Sequence, residues 1–133
     1  SYKDTEEFWS RSGLFAMSAH LRGERPDMKN AMIGFMEKNH PWLRNSHAYG
    51  EPGGSWGLLA LNLTKPEAFK SVMAEYAWWF SLAWQPGHGL HFTQPHMGAP
   101  YMGEEDLINA TYALVLQAPK RNLHLTGAHF SGR

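Results

Sequence analysis

The stretch that decides the fold is PDMKNAMIGFMEKN, residues 26–39. Its apolar side chains recur at positions i, i+3, i+4, i+7 and i+8, the spacing of one helix face; they are Met28, Ala31, Met32, Phe35 and Met36. Pro26 suits a first helical turn, and Pro41 follows the end of the pattern. The stretch therefore predicts an amphipathic α-helix over residues 26–39.

Four more helices are predicted by similar patterns and start or stop signals, at residues 5–21, 55–62, 64–84 and 104–118. In the first of these, Phe8, Phe15 and Ala19 share a face. Ser55 is the predicted N-cap of the third helix in chain order, and Thr64 is the predicted N-cap of the fourth. The predicted fold class is all-α, built from antiparallel helical hairpins.

The connections between these helices alternate between short and long. The long ones cover residues 41–54 and 85–103 and hold four of the eight histidines. Short links make neighbouring helices antiparallel, so both long connections are expected at one end of the array. The N-termini of the first, third and fifth helices are expected at the same end. Loops that converge in this way often carry a site, although they could equally be surface connections without a function.

Residue size separates the predicted helices into two groups. The first, third and fifth combine small and apolar residues, whereas the second and fourth have one charged side and one large apolar side. Because small residues allow close helix approach, the first group is expected to form an inner layer and the second an outer one. Such an array leaves apolar surface on its terminal helices. We therefore expect residues 1–133 to form one helical domain that self-associates or is part of a longer chain, with residues 120–133 as a docking arm or short strand.

One short motif resembles a known group of proteins. Gly53-Gly54-Ser55-Trp56-Gly57 precedes and enters an inner helix, and helical hairpins cover roughly residues 5–118. This pattern resembles the α/α toroids, which include terpenoid cyclases, protein prenyltransferase β subunits, polysaccharide lyases and glycoside hydrolases. The resemblance implies a fragment of a toroid or an open helical bundle, and a protein that acts on a glycan. The chain departs from the group in having fewer helices than a closed toroid, and it lacks the Asp-rich motif of the terpenoid cyclases.

Composition excludes several classes of partner and site. Twelve Lys and Arg balance twelve Asp and Glu, so no electrostatic reason exists to expect nucleic acid or an anionic membrane as a partner. The chain has no cysteine, which excludes disulfides and thiolate metal sites. No apolar run approaches the roughly 20 residues that span a bilayer.

The densest group of chemically active residues is in the second long connection. His88, His91 and His96 lie within nine residues, and three imidazoles could hold a divalent metal such as zinc, copper or nickel. Their spacing matches no established metal motif, and the neighbouring glycines argue against a rigid frame. Surface histidines, or histidines that bind substrate, are therefore preferred to a metal site. If they bind substrate, Trp42 and Tyr101 are the expected aromatic walls.

The first long connection supplies a second candidate group. His47 and Tyr49 could act as base and acid in a lyase-type proton abstraction, with Glu51 orienting His47. The alternative is a turn in which Asn45 and Ser46 bond their own backbone.

Two hypotheses for function follow from these groups. In the first, the chain binds or processes a glycan through the two loops. That glycan would be acidic, because helix N-termini favour an anionic group. In the second, it is a non-catalytic helical module that binds a metal ion or a protein partner through the same loops. Trp78, Trp79 and Trp84 are assigned to helix packing rather than to either site.

Overall fold

The computed structural model describes residues 8–45, 52–91 and 105–120. Its α-helices are α1 (Phe8–Arg22), α2 (Pro26–Lys38), α3 (Pro52–Thr64), α4 (Pro66–Glu75), α5 (Ala77–Ala83) and α6 (Glu105–Gln117). Two 3-10 helices cover His40–Asn45 and Ala118–Lys120, and two short strands are β1 (Trp84–Gln85) and β2 (Gly89–Leu90). The all-α prediction is confirmed. No helix in the described ranges is long and apolar enough to cross a membrane.

Helices α1 and α2 form an antiparallel hairpin. The indole Nε1 of Trp9, near the start of α1, donates to the carbonyl oxygen of Met36, near the end of α2, at 3.0 Å. Both side chains are fully buried. The three-residue link between the helices contains Gly23 and Arg25 in left-handed conformations, with φ of 67° and 47°. A left-handed backbone reverses the chain sharply, and it does so without strain at glycine.

Helix α2 starts without a side-chain N-cap. Instead, Asp27 lies in its first turn, where the backbone N–H of Met28 and the Arg25 side chain hold the pKa of the Asp27 carboxyl below its usual value. A carboxylate at this position also interacts favourably with the helix dipole.

Helices α1 and α3 approach each other through glycines. A Cβ placed on Gly13 would lie 2.7 Å from the Cα of Gly57, and a Cβ on Gly57 would overlap the ring of Trp9. Further along both helices, His20 and Thr64 line the same cleft. The two helices therefore run in the same direction, with Gly57 leaving the space that the Trp9 ring fills.

Helix α3 is the centre of the molecule, because it contacts α1, α4 and α6. A Cβ on Gly54, near the start of α3, would lie 2.8 Å from the hydroxyl oxygen of Tyr112 in α6. The 3-10 helix that follows α6 still contacts α3, so α6 runs in the direction of α3. Helices α1, α3 and α6 thus form the expected inner row, with α2 packed on α1 and α4 packed on α3.

The predicted helix over residues 64–84 is wrong in two respects. It is broken at Tyr76 into α4 and α5, where the buried Tyr76 hydroxyl donates to the carbonyl oxygen of His40 at 3.0 Å. Thr64 is not its N-cap, because Thr64 ends α3 and its hydroxyl donates to the carbonyl oxygen of Ala60 at 2.7 Å. Lys65 holds the N-cap position of α4 without a side-chain cap bond.

Three other details of the sequence prediction are corrected. Ser55 lies inside α3 and is fully buried, so it is not an N-cap. Trp78 and Trp84 are 50% and 60% exposed, so the packing predicted for them is wrong, whereas Trp79 does pack against the core. In α1, Phe15 is 37% exposed; the buried residues of this helix include Trp9, Ser12, Ala16 and Ala19.

Candidate functional site

The structure describes three of the eight residues proposed from sequence. Trp42, His88 and His91 lie in the described ranges. The remaining five fall outside them and stay predictions; they are His47, Tyr49, Glu51, His96 and Tyr101.

Trp42 belongs to the 3-10 helix His40–Asn45, where the first long connection begins. Its backbone N–H donates to the carbonyl oxygen of Asn39 at 3.0 Å, while its side chain is 39% exposed. The next residue, Leu43, is fully buried in the core. The backbone of this segment is therefore anchored while the Trp42 ring remains accessible.

His40 holds the same segment against α2 and α4. Its Nε2 lies 2.9 Å from Oε2 of Glu75, and its Nδ1 lies 2.7 Å from the carbonyl oxygen of Glu37. Both ring nitrogens of His40 therefore lie within hydrogen-bonding distance of an oxygen atom. The Tyr76 hydroxyl also donates to the carbonyl oxygen of His40. The start of the first long connection is therefore held at the junction of α4 and α5; we call the ends of each long connection, where it joins the helices or the hairpin, its roots.

His88 and His91 lie on a short β-hairpin, where the sequence pattern predicts a loop. Strand β1 pairs antiparallel with β2, with Trp84 opposite Leu90 and Gln85 opposite Gly89. Gly87 and Gly89 both have φ of 84°, a conformation that favours glycine. His88 lies exposed in the turn, and the backbone N–H of His91 donates to the carbonyl oxygen of Ala83 at 2.8 Å.

Asn109 of α6 fixes this hairpin, and sequence reasoning missed it. Its Oδ1 accepts the backbone N–H of Leu90 at 2.7 Å, and its Nδ2 donates to the carbonyl oxygen of His88 at 3.2 Å. A Cβ on Gly89 would collide with the Asn109 amide, so glycine is required there for space as well as for its φ. In the sequence, the only indication of this role is that Asn109 is a polar residue next to the apolar stripe of α6.

The roots of the two long connections contact neighbouring positions on α6. Asn109 binds the hairpin that opens the second connection. Tyr112, three residues later on the same helix face, has its hydroxyl beside Gly54 at the end of the first connection. A Cβ on Gly54 would also meet Leu43, from the start of that connection, at 3.0 Å. Three residues rise about 4.5 Å along a helix, so both connections are rooted within one turn of α6.

Metal binding by the histidine group is not tested by the described residues. No three His, Asp or Glu side chains in residues 8–45, 52–91 and 105–120 lie close enough together to hold a metal ion. His96 lies outside these ranges, so the proposed group of His88, His91 and His96 stays a prediction.

A concave surface that the sequence does not predict lies at the other end of α3. It is a cleft of about 280 Å³ between α1, α2 and the link from α3 to α4. Its lining includes His20, Lys29, Gly34, Glu37, Thr64 and Lys65. Lys65 Nζ lies 2.5 Å from Oε1 of Glu37, so one cation of the cleft is already neutralised. The cleft is polar, and it lies apart from the aromatic residues of the two connections.

Comparison with known proteins identifies a family. The sequence model of a family described as a domain of unknown function (DUF6288) matches residues 4–127. The chain therefore belongs to this family. No curated protein and no solved structure matches it.

Proposed function

We propose that the chain, as a member of that family, binds a glycan at the face where its two long connections are rooted on α6. The observation that carries this proposal is the placement of Asn109 and Tyr112, which hold the two roots within one helical turn. Two loops with anchored roots and chemically active residues favour a binding site over two independent surface connections.

Exposed aromatic rings beside these roots support a sugar as the ligand. Trp42 is 39% exposed on the anchored 3-10 helix, and Trp84 is 60% exposed at the start of the hairpin. Indole rings present a flat apolar face together with an N–H donor, which suits the faces and hydroxyls of a sugar ring. The imidazole of His88, in the hairpin turn, adds a hydrogen-bonding group.

An acidic sugar is the preferred class of ligand. Gly54 lies in the first turn of α3, and Asn109 lies in the second turn of α6, so the N-terminal ends of both helices are near the roots. Helix N-termini carry partial positive charge and favour a carboxylate. Within this proposal, His47 and Tyr49 would abstract and return a proton, with Glu51 orienting His47. The row of α1, α3 and α6 would be part of a toroid-like array.

The proposal is tested by binding of an acidic and a neutral oligosaccharide. Oligogalacturonate and cello-oligosaccharide would be titrated calorimetrically into the unmodified chain and into Trp42→Ala and Trp84→Ala variants. Trp78→Ala is the matched control, because Trp78, at 50% exposed, lies between Trp42 and Trp84 in exposure but belongs to neither connection. Truncation of a central aromatic contact costs more than about 1 kcal/mol, so each of the first two variants should weaken oligogalacturonate binding about fivefold or more.

The control variant should bind like the unmodified chain, and cello-oligosaccharide should bind more weakly than oligogalacturonate. Absence of binding to both sugars by the unmodified, folded chain would contradict the proposal. Equal loss of affinity in all three tryptophan variants would also contradict it, because the loss would then not be specific to the face where the two long connections are rooted on α6.

A further inference from the structure

The polar cleft at the C-terminal end of α3 has two helical walls and one closed side. His20 of α1 lies on one wall, and Lys29 and Gly34 of α2 lie on the other. The closed side is the link from α3 to α4, where Lys65 pairs with Glu37 of α2. Because this ion pair joins the link to α2, the walls are held in place before a ligand binds, which favours binding.

Lys29 gives the cleft a positive charge that no acidic residue neutralises within residues 8–45, 52–91 and 105–120. The acidic residues of the α1–α2 hairpin each pair with a different basic residue; the pairs are Arg22–Glu24, Arg25–Asp27 and Lys65–Glu37. Glu37 follows Lys29 by eight residues, about 12 Å along the helix, so it is too distant to neutralise it. The cleft therefore has a net positive charge, from Lys29 and Lys65 against Glu37.

Two further hydrogen-bonding side chains lie near Lys29. Asn30 is its neighbour on α2, and His20 is on the α1 wall. In the part of the chain that the structure describes, neither side chain has a hydrogen-bond partner. An amide donates two hydrogens and an imidazole at least one, so donors are available on both walls. A phosphoryl group has three strong acceptor oxygens, which point in different directions and can accept from both walls.

Gly34 lies in the interior of α2, where glycine weakens a helix relative to alanine. Neither a left-handed backbone nor a close contact requires glycine there, since a Cβ on Gly34 would meet nothing within 4 Å. A larger side chain at this position would extend into the cleft, because Gly34 lines it. The missing side chain therefore keeps the α2 wall of the cleft open.

We propose that this cleft binds the phosphoryl group of a small molecule, with Lys29 supplying the charge and His20 and Asn30 donating hydrogen bonds. Its volume of about 280 Å³ is just below the range of about 300–1,000 Å³ that is typical of ligand pockets, so the ligand is smaller than a nucleotide or an oligosaccharide. Ile33, which is buried in the lining, offers an apolar contact to the carbon part of the ligand. This site is separate from the proposed glycan face and does not depend on it.

An NMR titration of the full chain with glucose 6-phosphate at constant ionic strength tests the proposal. Saturable shifts are expected at the amides of Lys29, Asn30 and Gly34. Glucose, which has no phosphoryl group, should leave these amides unmoved. Glucuronate, which has a planar carboxylate of lower charge, should bind more weakly than glucose 6-phosphate.

Two variants separate charge from shape. Lys29→Ala should weaken glucose 6-phosphate binding about tenfold or more, because hydrogen bonds to charged groups are the strong ones. Lys38→Ala is the matched control, since Lys38 is an exposed lysine of α2 outside the cleft lining, and it should bind like the unmodified chain. Gly34→Leu should also weaken binding, because its side chain fills the cleft, while helix propensity keeps the chain at least as stable.

Circular dichroism and thermal melting would establish that each variant is folded. Absence of saturable shifts at the cleft amides of the unmodified chain would overturn the proposal. Equal weakening by Lys29→Ala and Lys38→Ala would also overturn it, because the attraction would then be to the general charge of α2. Binding of glucuronate as tight as that of glucose 6-phosphate would exclude the phosphoryl group as the feature recognised.

Discussion

At the scale of single residues, Asn109 shows what the sequence could and could not provide. Three imidazoles in nine residues predict a candidate site in the segment that holds His88 and His91. Nothing local indicated that an amide 19 residues beyond Leu90 would accept its backbone N–H. A bond of this kind depends on where α6 packs, so it follows from tertiary structure and cannot be inferred from local spacing.

Replacing Asn109 with Ala should loosen the hairpin without unfolding the domain. Two hydrogen bonds are lost, and the partly buried N–H of Leu90 is left without its partner, at an expected cost of about 1–2 kcal/mol. Hydrogen exchange of the Leu90 amide should accelerate while amides of α3 keep their protection. Asn109→Asp, which keeps an acceptor for Leu90, should show a smaller effect. Unchanged exchange at Leu90 in the Ala variant would mean that Asn109 does not hold the hairpin.

At the scale of helices and strands, local patterns located most elements but not their breaks. The stripe over residues 26–39 and the terminal prolines correctly predicted α2, and the acidic start and apolar stripe predicted α6. The continuous pattern over residues 64–84 concealed the break at Tyr76, because α4 and α5 each keep helical spacing. At the break, the Tyr76 hydroxyl donates to the carbonyl oxygen of His40, 36 residues away in the chain, and local spacing cannot indicate such a contact. The hairpin was missed for a related reason, since two-residue strands have no periodicity to detect.

The contact between α1 and α3 gives a prediction about glycine. Gly13→Ala and Gly57→Ala should each lower the free energy of unfolding by about 1–3 kcal/mol or more, because the added methyl meets helix backbone or the Trp9 ring. Gly34→Ala is the matched control in α2, where nothing lies within 4 Å of the added carbon. That variant should gain about 0.5–1 kcal/mol from helix propensity. Urea unfolding of the three variants measures these changes, and a loss at Gly34 equal to that at Gly57 would contradict the close approach of α1 and α3.

At the scale of the whole molecule, the order of the helices followed from connection lengths and residue size. Short links gave the antiparallel hairpin of α1 and α2, and small residues such as Gly13 and Gly57 indicated the inner row. The opposite ends of α3 carry different surfaces, one with the loop roots and one with the polar cleft. The cleft could not be foreseen, because its residues come from three helices and the link from α3 to α4 and share no motif. The proposed acid–base residues His47, Tyr49 and Glu51 lie outside the described ranges, so that part of the sequence prediction stands untested.

The claim that the loop roots form the binding face is tested most directly by an NMR titration of the amide and indole N–H groups with oligogalacturonate. The proposal predicts that the largest shifts occur at the Trp42 and Trp84 indoles and at the amides of Leu90, His91 and Asn109. The amides of Lys29, Gly34 and Lys65 around the cleft should move little. Shifts concentrated at the cleft, or a saturating titration that leaves Trp42 and Leu90 unmoved, would contradict it.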